Sequence, residues 1–201
     1  MQNEIKLMIK ESAETIRLAE QLAPKIEVAA NILVNAFKNN KKILIAGNGG
    51  SASQASHIAA EFVGRYKIER KAMPAIALTT DLAAITAIGN DYGFDAIFER
   101  QIEALGNEGD VFIALSTSGN SKNLVKAVEA ARKLNVHVIG LLGIDGGKMK
   151  NLLASMLENS HAGASSVEII VHSDDTPRIQ EAHLMILHII CELVDKELFG
   201  K

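Results

Sequence analysis

His57 and Glu61 stand four residues apart, just after the run Gly47-Asn48-Gly49-Gly50-Ser51-Ala52. On a helix that spacing sets an imidazole and a carboxylate one turn apart on a single face. Such a pair can hold a divalent cation or move a proton. The residues before it, Ile43-Leu44-Ile45-Ala46-Gly47, form the short apolar run of a buried parallel strand. A glycine-rich turn from strand to helix lets backbone N–H groups converge on an anion. The spacing therefore predicts a phosphate cradle and a base or ligand pair in one cleft.

A second polar turn, Ser116-Thr117-Ser118-Gly119-Asn120-Ser121, follows another apolar run. Its hydroxyls add side-chain donors to the backbone ones. Ser/Thr runs at such places also serve simply as helix caps. Phosphate binding is favoured here because ligands of open parallel sheets sit beyond the carboxyl ends of the strands, where both turns fall. Neither turn is a dinucleotide fingerprint or a Walker loop, since Gly-x-Gly-x-x-Gly and a closing Gly-Lys-Ser/Thr are absent from them. The last helical stretch, from Thr176-Pro177 to His188 and beyond, is broadly apolar through Ile179, Leu184, Ile186, Leu187, Ile190, Leu193 and Val194. A helix so largely buried must find partners for Gln180, Glu181, His183 and His188. A lone histidine there is more often a hydrogen-bonded core residue than a ligand; His57, Glu61 and His188 in one chain weaken that reading without settling the choice. Gln180 and His188 are separated by about 80° around an ideal helix and by two turns along it. Glu181 and His188, seven apart, align better.

These residues need a scaffold. Apolar runs at Lys42 to Ala46, Ala75 to Leu78, Val111 to Leu115, Val136 to Leu141 and Val167 to Val171 alternate with helical patterns. Alternation of this kind means an α/β fold with a parallel sheet covered on both faces. A helix starting at Pro24 carries Ile26, Ala30, Leu33, Val34 and Phe37 at helical spacing. The leading helices need a partner surface, either their own sheet or a bundle between copies of the chain. Residues Leu152 to Ser166, rich in Ser, Asn and Gly, read as a surface loop or frayed helix.

The 201 residues, 48% apolar and 22% charged, suffice for one domain around one sizeable core. A net charge of -3 argues against nucleic acid as the main partner. The single cysteine, Cys191, lies in an apolar run, reads as a core residue and fits a reducing compartment. No leader pattern opens the sequence and no apolar stretch has the roughly 20 residues of a membrane span, so the expectation is a cytoplasmic protein with no membrane partner.

Taken together, Gly47-Asn48-Gly49-Gly50-Ser51-Ala52, His57-Ile58-Ala59-Ala60-Glu61, Ala87-Ile88-Gly89-Asn90-Asp91-Tyr92-Gly93, Ser116-Thr117-Ser118-Gly119-Asn120-Ser121 and Arg178-Ile179-Gln180-Glu181-Ala182-His183 resemble the sedoheptulose 7-phosphate isomerases. These are the phosphoheptose isomerases of bacterial heptose biosynthesis, which feeds lipopolysaccharide, capsule or surface-layer glycan. The resemblance covers nearly the whole chain. It implies a three-layer α/β/α sandwich with a five-stranded parallel sheet, the sugar isomerase fold, as one domain over residues 1–201. Residues 1–40 would be a helical extension in the interface of a homotetramer with active sites between subunits. By the same resemblance the substrate-binding positions are Asn48, Gly49, Gly50, Ser51, Glu61, Arg65, Asn90, Asp91, Ser116, Thr117, Ser118, Ser121 and Gln180. One zinc per subunit would be held by His57, Glu61, Gln180 and His188, and Glu61 and His188 match the catalytic base and acid. The chain departs from the family's habit at Ile144, where Lys is common, and in a longer connection over residues 152–166.

The residue types suit that reaction. Interconverting a 2-keto sugar and its aldose removes a proton alpha to a carbonyl and returns it to the neighbouring carbon through an enediol. Glu61 can do the carbon step and His188 the transfer between oxygens. A divalent metal would polarise the carbonyl, although Gln is a weak ligand and a tightly bound Glu a poorer base. The competing readings are a non-catalytic initiator-associating protein or a sugar-phosphate sensor on the same fold. Both leave Glu61 and His188 without a purpose.

Overall fold

The computed structural model describes residues 1–158 and 165–200. Five strands form one sheet: β1 (Ile43–Gly47), β2 (Ala75–Ala77), β3 (Val111–Ser116), β4 (His137–Gly143) and β5 (Ser166–Val171). Their order is β2-β1-β3-β4-β5 and every pairing is parallel. Helices join them: α1 (Gln2–Leu18), α2 (Ala23–Lys38), α3 (Gly50–Val63), α4 (Leu82–Tyr92), α5 (Glu99–Leu105), α6 (Lys122–Lys133), α7 (Gly147–Glu158) and α8 (Thr176–Phe199). Each expected strand is present with its ends within two residues of those expected.

Successive residues of a strand face opposite sides, so each strand feeds two cores. Ile43, Ile45, Ile113, Leu115, Ile139, Leu141 and Ile169 pack with α2, α3 and α8. Leu44, Ala46, Phe112, Ala114, Val138, Leu142 and Ile170 pack with α5, α6 and α7 on the other side. The near-continuous apolar character of the runs follows from this two-sided burial. From β1 the chain crosses to β2 on one side and from β3 to β4 on the other, so order reverses between β1 and β3. That switch point opens a crevice beyond the carboxyl ends of these two strands.

The leading helices divide. Pro24 lies in the first turn of α2, whose Ile26, Ala29, Leu33 and Val34 belong to the sheet's own core. In contrast α1 buries no residue and leaves Ile5, Leu7, Met8 and Ile9 exposed. It touches α8 through polar groups, with Ser12 Oγ donating to Glu181 Oε2 at 2.6 Å and Arg178 Nη1 donating to the Met8 carbonyl at 2.9 Å.

The reading of residues 152–166 as a surface loop or frayed helix is corrected in part. Helix α7 runs to Glu158 because Met149, Leu153 and Met156, at positions i, i+4 and i+7, are buried in the second core. Ser166 opens β5 and donates from Oγ to the Leu153 carbonyl at 2.8 Å. The remainder of that segment, 159–164, lies outside the described residues. Cys191 is buried in the first core, which pushes its thiol up to about 12. It is a core residue, inert as a nucleophile. At the end of β4, Ile144 adopts φ +60°, a costly conformation for a β-branched residue. Its N–H donates to the Ser173 carbonyl at 3.2 Å, and its own carbonyl meets His172 Nδ1 at 3.0 Å.

Candidate active site

The turn after β1 is tight because glycines allow it. Gly49 has φ +56°, and a side chain on Gly47 would strike the backbone of Ser51 at 2.8 Å. A Cβ on Gly50 would lie 2.9 Å from the Gln180 amide, so α8 comes directly against this turn. Gln180 Nε2 reaches Ser51 Oγ at 3.4 Å, and the Gln180 carbonyl accepts from Gln54 Nε2 at 2.7 Å.

The turn after β3 is held by its own hydroxyls. Ser116 and Ser121 share a hydrogen bond at 3.2 Å, and the Gly119 N–H donates to Ser116 Oγ at 3.1 Å. The Asn120 N–H donates to Ser118 Oγ at 3.2 Å. Ser121, at the N-cap of α6, makes no capping hydrogen bond through its side chain. The bland reading of the serines as caps therefore fails here. A reciprocal amide pair ties the two turns together: Asn48 Nδ2 donates to Asn123 Oδ1 at 3.0 Å, and Asn123 Nδ2 donates back at 2.9 Å. Asn123 is buried and escaped the sequence reading. Its only signal was a polar residue in the apolar pattern of α6.

His57, Glu61 and His188 meet, although 131 residues of sequence separate the two histidines. One ligand atom from each lies within 4.8 Å of the others. His57 Nε2 is 3.1 Å from Glu61 Oε1 and 3.2 Å from His188 Nε2. Ligands on a tetrahedral zinc with bonds near 2.05 Å would be about 3.3 Å apart. Two imidazole nitrogens aimed at each other also call for a shared proton or cation, so the residues present fit a metal ion. The side chains of His57 and Glu61 keep 45% and 25% of their exposure, so a small molecule can reach them. Burial, then the neighbouring His57, holds the His188 imidazole below its ordinary 6.5, with Glu61 pulling the other way.

Other residues stand apart from this cluster. Glu181 turns to α1 and to Arg178, 3.0 Å away, despite its better helical alignment with His188. Gln180 faces the Ser51 turn. His183 is buried and its Nε2 bonds the Leu142 carbonyl at 2.9 Å, so it is the hydrogen-bonded core histidine. Burial pushes it down to about 4. Asn90 and Asp91 lie exposed on α4, where Asn90 Nδ2 donates to Asp91 Oδ1 at 2.7 Å. Arg65 is exposed and 3.8 Å from Glu69, which makes the stretch Arg65 to Lys71 a poor candidate for a nucleic-acid surface.

A doubly covered parallel sheet with two polar turns at its switch point and an imidazole–carboxylate cluster from α3 and α8 is an arrangement able to bind an anion and to move a proton. In keeping with this, residues 9–143 match the SIS domain family. A phosphoheptose isomerase of Geotalea uraniireducens is 53% identical over 90% of this chain and 89% of its own length. One from Geobacter metallireducens is 48% identical over 99% and 100%. The structure of phosphoheptose isomerase GmhA from Neisseria gonorrhoeae superposes with a TM-score of 0.87 at 42% identity, covering 97% of this chain and 98% of that one. The chain belongs to the phosphoheptose isomerase family of SIS-domain proteins.

Proposed function

We propose that this protein converts sedoheptulose 7-phosphate to D-glycero-D-manno-heptose 7-phosphate through an enediol, the entry step of heptose biosynthesis. The meeting of Glu61 with His57 and His188 beside two polar turns carries this reading. The turns at Ser51 and at Ser116, Thr117, Ser118 and Ser121 take the phosphate, with Asn48, Gly49, Gly50 and Gln180 shaping the first of them. Anchoring that end positions the reacting carbons over the cluster.

Glu61 removes the C1 proton of the ketose and delivers it to C2, while His188 moves a proton between the two oxygens. One carboxylate oxygen of Glu61 faces His57 at 3.1 Å. The other is left for the carbon acid. Arg65, Asn90 and Asp91 contact the sugar in the assembled protein. A zinc ion on His57, Glu61, Gln180 and His188 would supply Lewis acidity to the carbonyl and its developing charge. The donor chemistry of His57, Glu61 and His188 supports this, whereas Gln180 is counted as a ligand by family resemblance.

The same reading makes the protein a cytoplasmic homotetramer. What supports assembly is the apolar surface left over: Ile5, Met8 and Ile9 on α1, and Leu82, Tyr92 and Phe94 around α4, a helix with no buried residue. Among the described residues, no helix is long and apolar enough to cross a membrane.

Incubating the purified protein with sedoheptulose 7-phosphate, before and after treatment with a strong chelator, tests the reading. Aldose phosphate should form, fall at least tenfold after metal removal, and return with zinc. No aldose under any condition would refute the activity, and chelator-insensitive turnover would refute the metal.

A further inference from the structure

The segment between α3 and β2 grips α8 at three successive places. His188, Glu192 and Asp195 fall at positions i, i+4 and i+7 of α8 and so share one stripe. Tyr66 stacks on the first, its ring 5.8 Å from that of His188 with only 18° between the planes. Lys67 Nζ pairs with Glu192 at 2.5 Å and also lies over the Tyr66 ring. Arg70 Nε pairs with Asp195 Oδ1 at 2.9 Å, both side chains being almost fully buried at 1% and 6% exposure. The Arg70 guanidinium also donates to the carbonyls of Glu61 at 2.7 Å and Phe62 at 2.8 Å, the last turn of α3. One side chain therefore bolts the end of the Glu61 helix to the His188 helix.

We propose that residues 66–70 form a strap that fixes α3 against α8, with Tyr66 and Arg70 as positioning residues for His188 and Glu61. This rests on the proposed isomerase site and adds what holds it in register. The need is physical. His57 and Glu61 are kept in step by their own helix, but His188 comes from another helix and meets the cluster through its contact with His57, 3.2 Å between the Nε2 atoms, a single point about which its ring plane can still turn. A flat aromatic on the imidazole restricts that ring, and the buried ion pair sets the spacing of the two helices. The ring of Tyr66 is what acts, because its hydroxyl has no hydrogen-bond partner among the described residues. A misplacement of about 1 Å is enough to cost a proton relay much of its rate.

The test compares Tyr66→Leu with Tyr66→Phe on the full chain. Kinetics with sedoheptulose 7-phosphate are read beside the His188 ring signals in a long-range proton–nitrogen NMR spectrum of metal-free protein, assigned with His188→Gln. Tyr66→Leu should lower kcat about tenfold with KM changed less than about twofold, and broaden the His188 signals, whereas Tyr66→Phe should restore both. The paired change Arg70→Met/Asp195→Leu, which strands no buried charge, should broaden the same signals. If that protein does not fold, the Tyr66 pair decides alone. Wild-type kinetics and sharp His188 signals in Tyr66→Leu would overturn the strap, as would equal damage in Tyr66→Phe. A wild-type protein without isomerase activity would refute the proposed function, while the NMR comparison would still judge the strap.

Discussion

The two halves of the site are built differently. The two polar turns, to which the proposed function assigns the phosphate, are closed networks, with Asn48 and Asn123 bonded in both directions and Ser116 bonded to Ser121 and Gly119. The proton-transfer side is an open cluster of side chains from two helices, half exposed and held by a neighbouring segment. The first arrangement suits a group that must be gripped in one pose throughout the reaction. The second suits groups whose protons have to move. Satisfied hydrogen bonds make a rigid cradle, whereas an unfinished set of donors and acceptors leaves atoms open to a bound group.

This contrast predicts a division in the kinetics. His188→Gln should lower kcat at least a hundredfold with KM nearly unchanged, a loss of roughly 2.7 kcal/mol of transition-state stabilisation. Ser121→Ala should instead raise KM about tenfold and leave kcat within a few-fold, because it removes binding shared by ground and transition states. Steady-state kinetics on both variants would check this. A kcat loss in Ser121→Ala as large as in His188→Gln would erase the distinction between the halves.

How far each half could be read from sequence follows the same division. The turns are contiguous, so Gly47-Asn48-Gly49-Gly50-Ser51 and Ser116 to Ser121 declare themselves by composition after an apolar run. The five strands were legible because burial on both faces leaves little room for polar residues. His57 and Glu61 were legible as a pair because a helix repeats. Their meeting with His188 depends on packing between distant segments and followed only from resemblance. Helical spacing favoured Glu181 over Gln180 as the companion of His188, but Glu181 is taken by Ser12 and Arg178. Tertiary partners decided what periodicity could not. Asn123 and Tyr66 escaped notice for a similar reason, since each acts on a residue far away in the chain.

A different effect, on stability rather than rate, separates the two histidines of α8. His183 sits near pKa 4 when folded, against an ordinary 6.5 once unfolded. Above pH 6.5 both states are neutral and the group has no influence. As pH falls from 6.5 towards 4, the unfolded chain takes up a proton that the folded protein refuses, so stability declines and then levels off. The full loss is up to roughly 3 kcal/mol. His183→Gln should flatten this part of the stability–pH curve in denaturant titrations. An unchanged curve would remove His183 as its source.

The central claim is that Glu61 carries a proton between two carbons of one sugar. Wild-type protein and Glu61→Gln, incubated with sedoheptulose 7-phosphate in deuterated water, can be followed by NMR for aldose formation and for deuterium at C1 of the recovered ketose. The wild type should form heptose 7-phosphate and exchange the C1 hydrogen, with both processes falling at least a hundredfold in the variant. Undiminished turnover or exchange in Glu61→Gln would contradict the account.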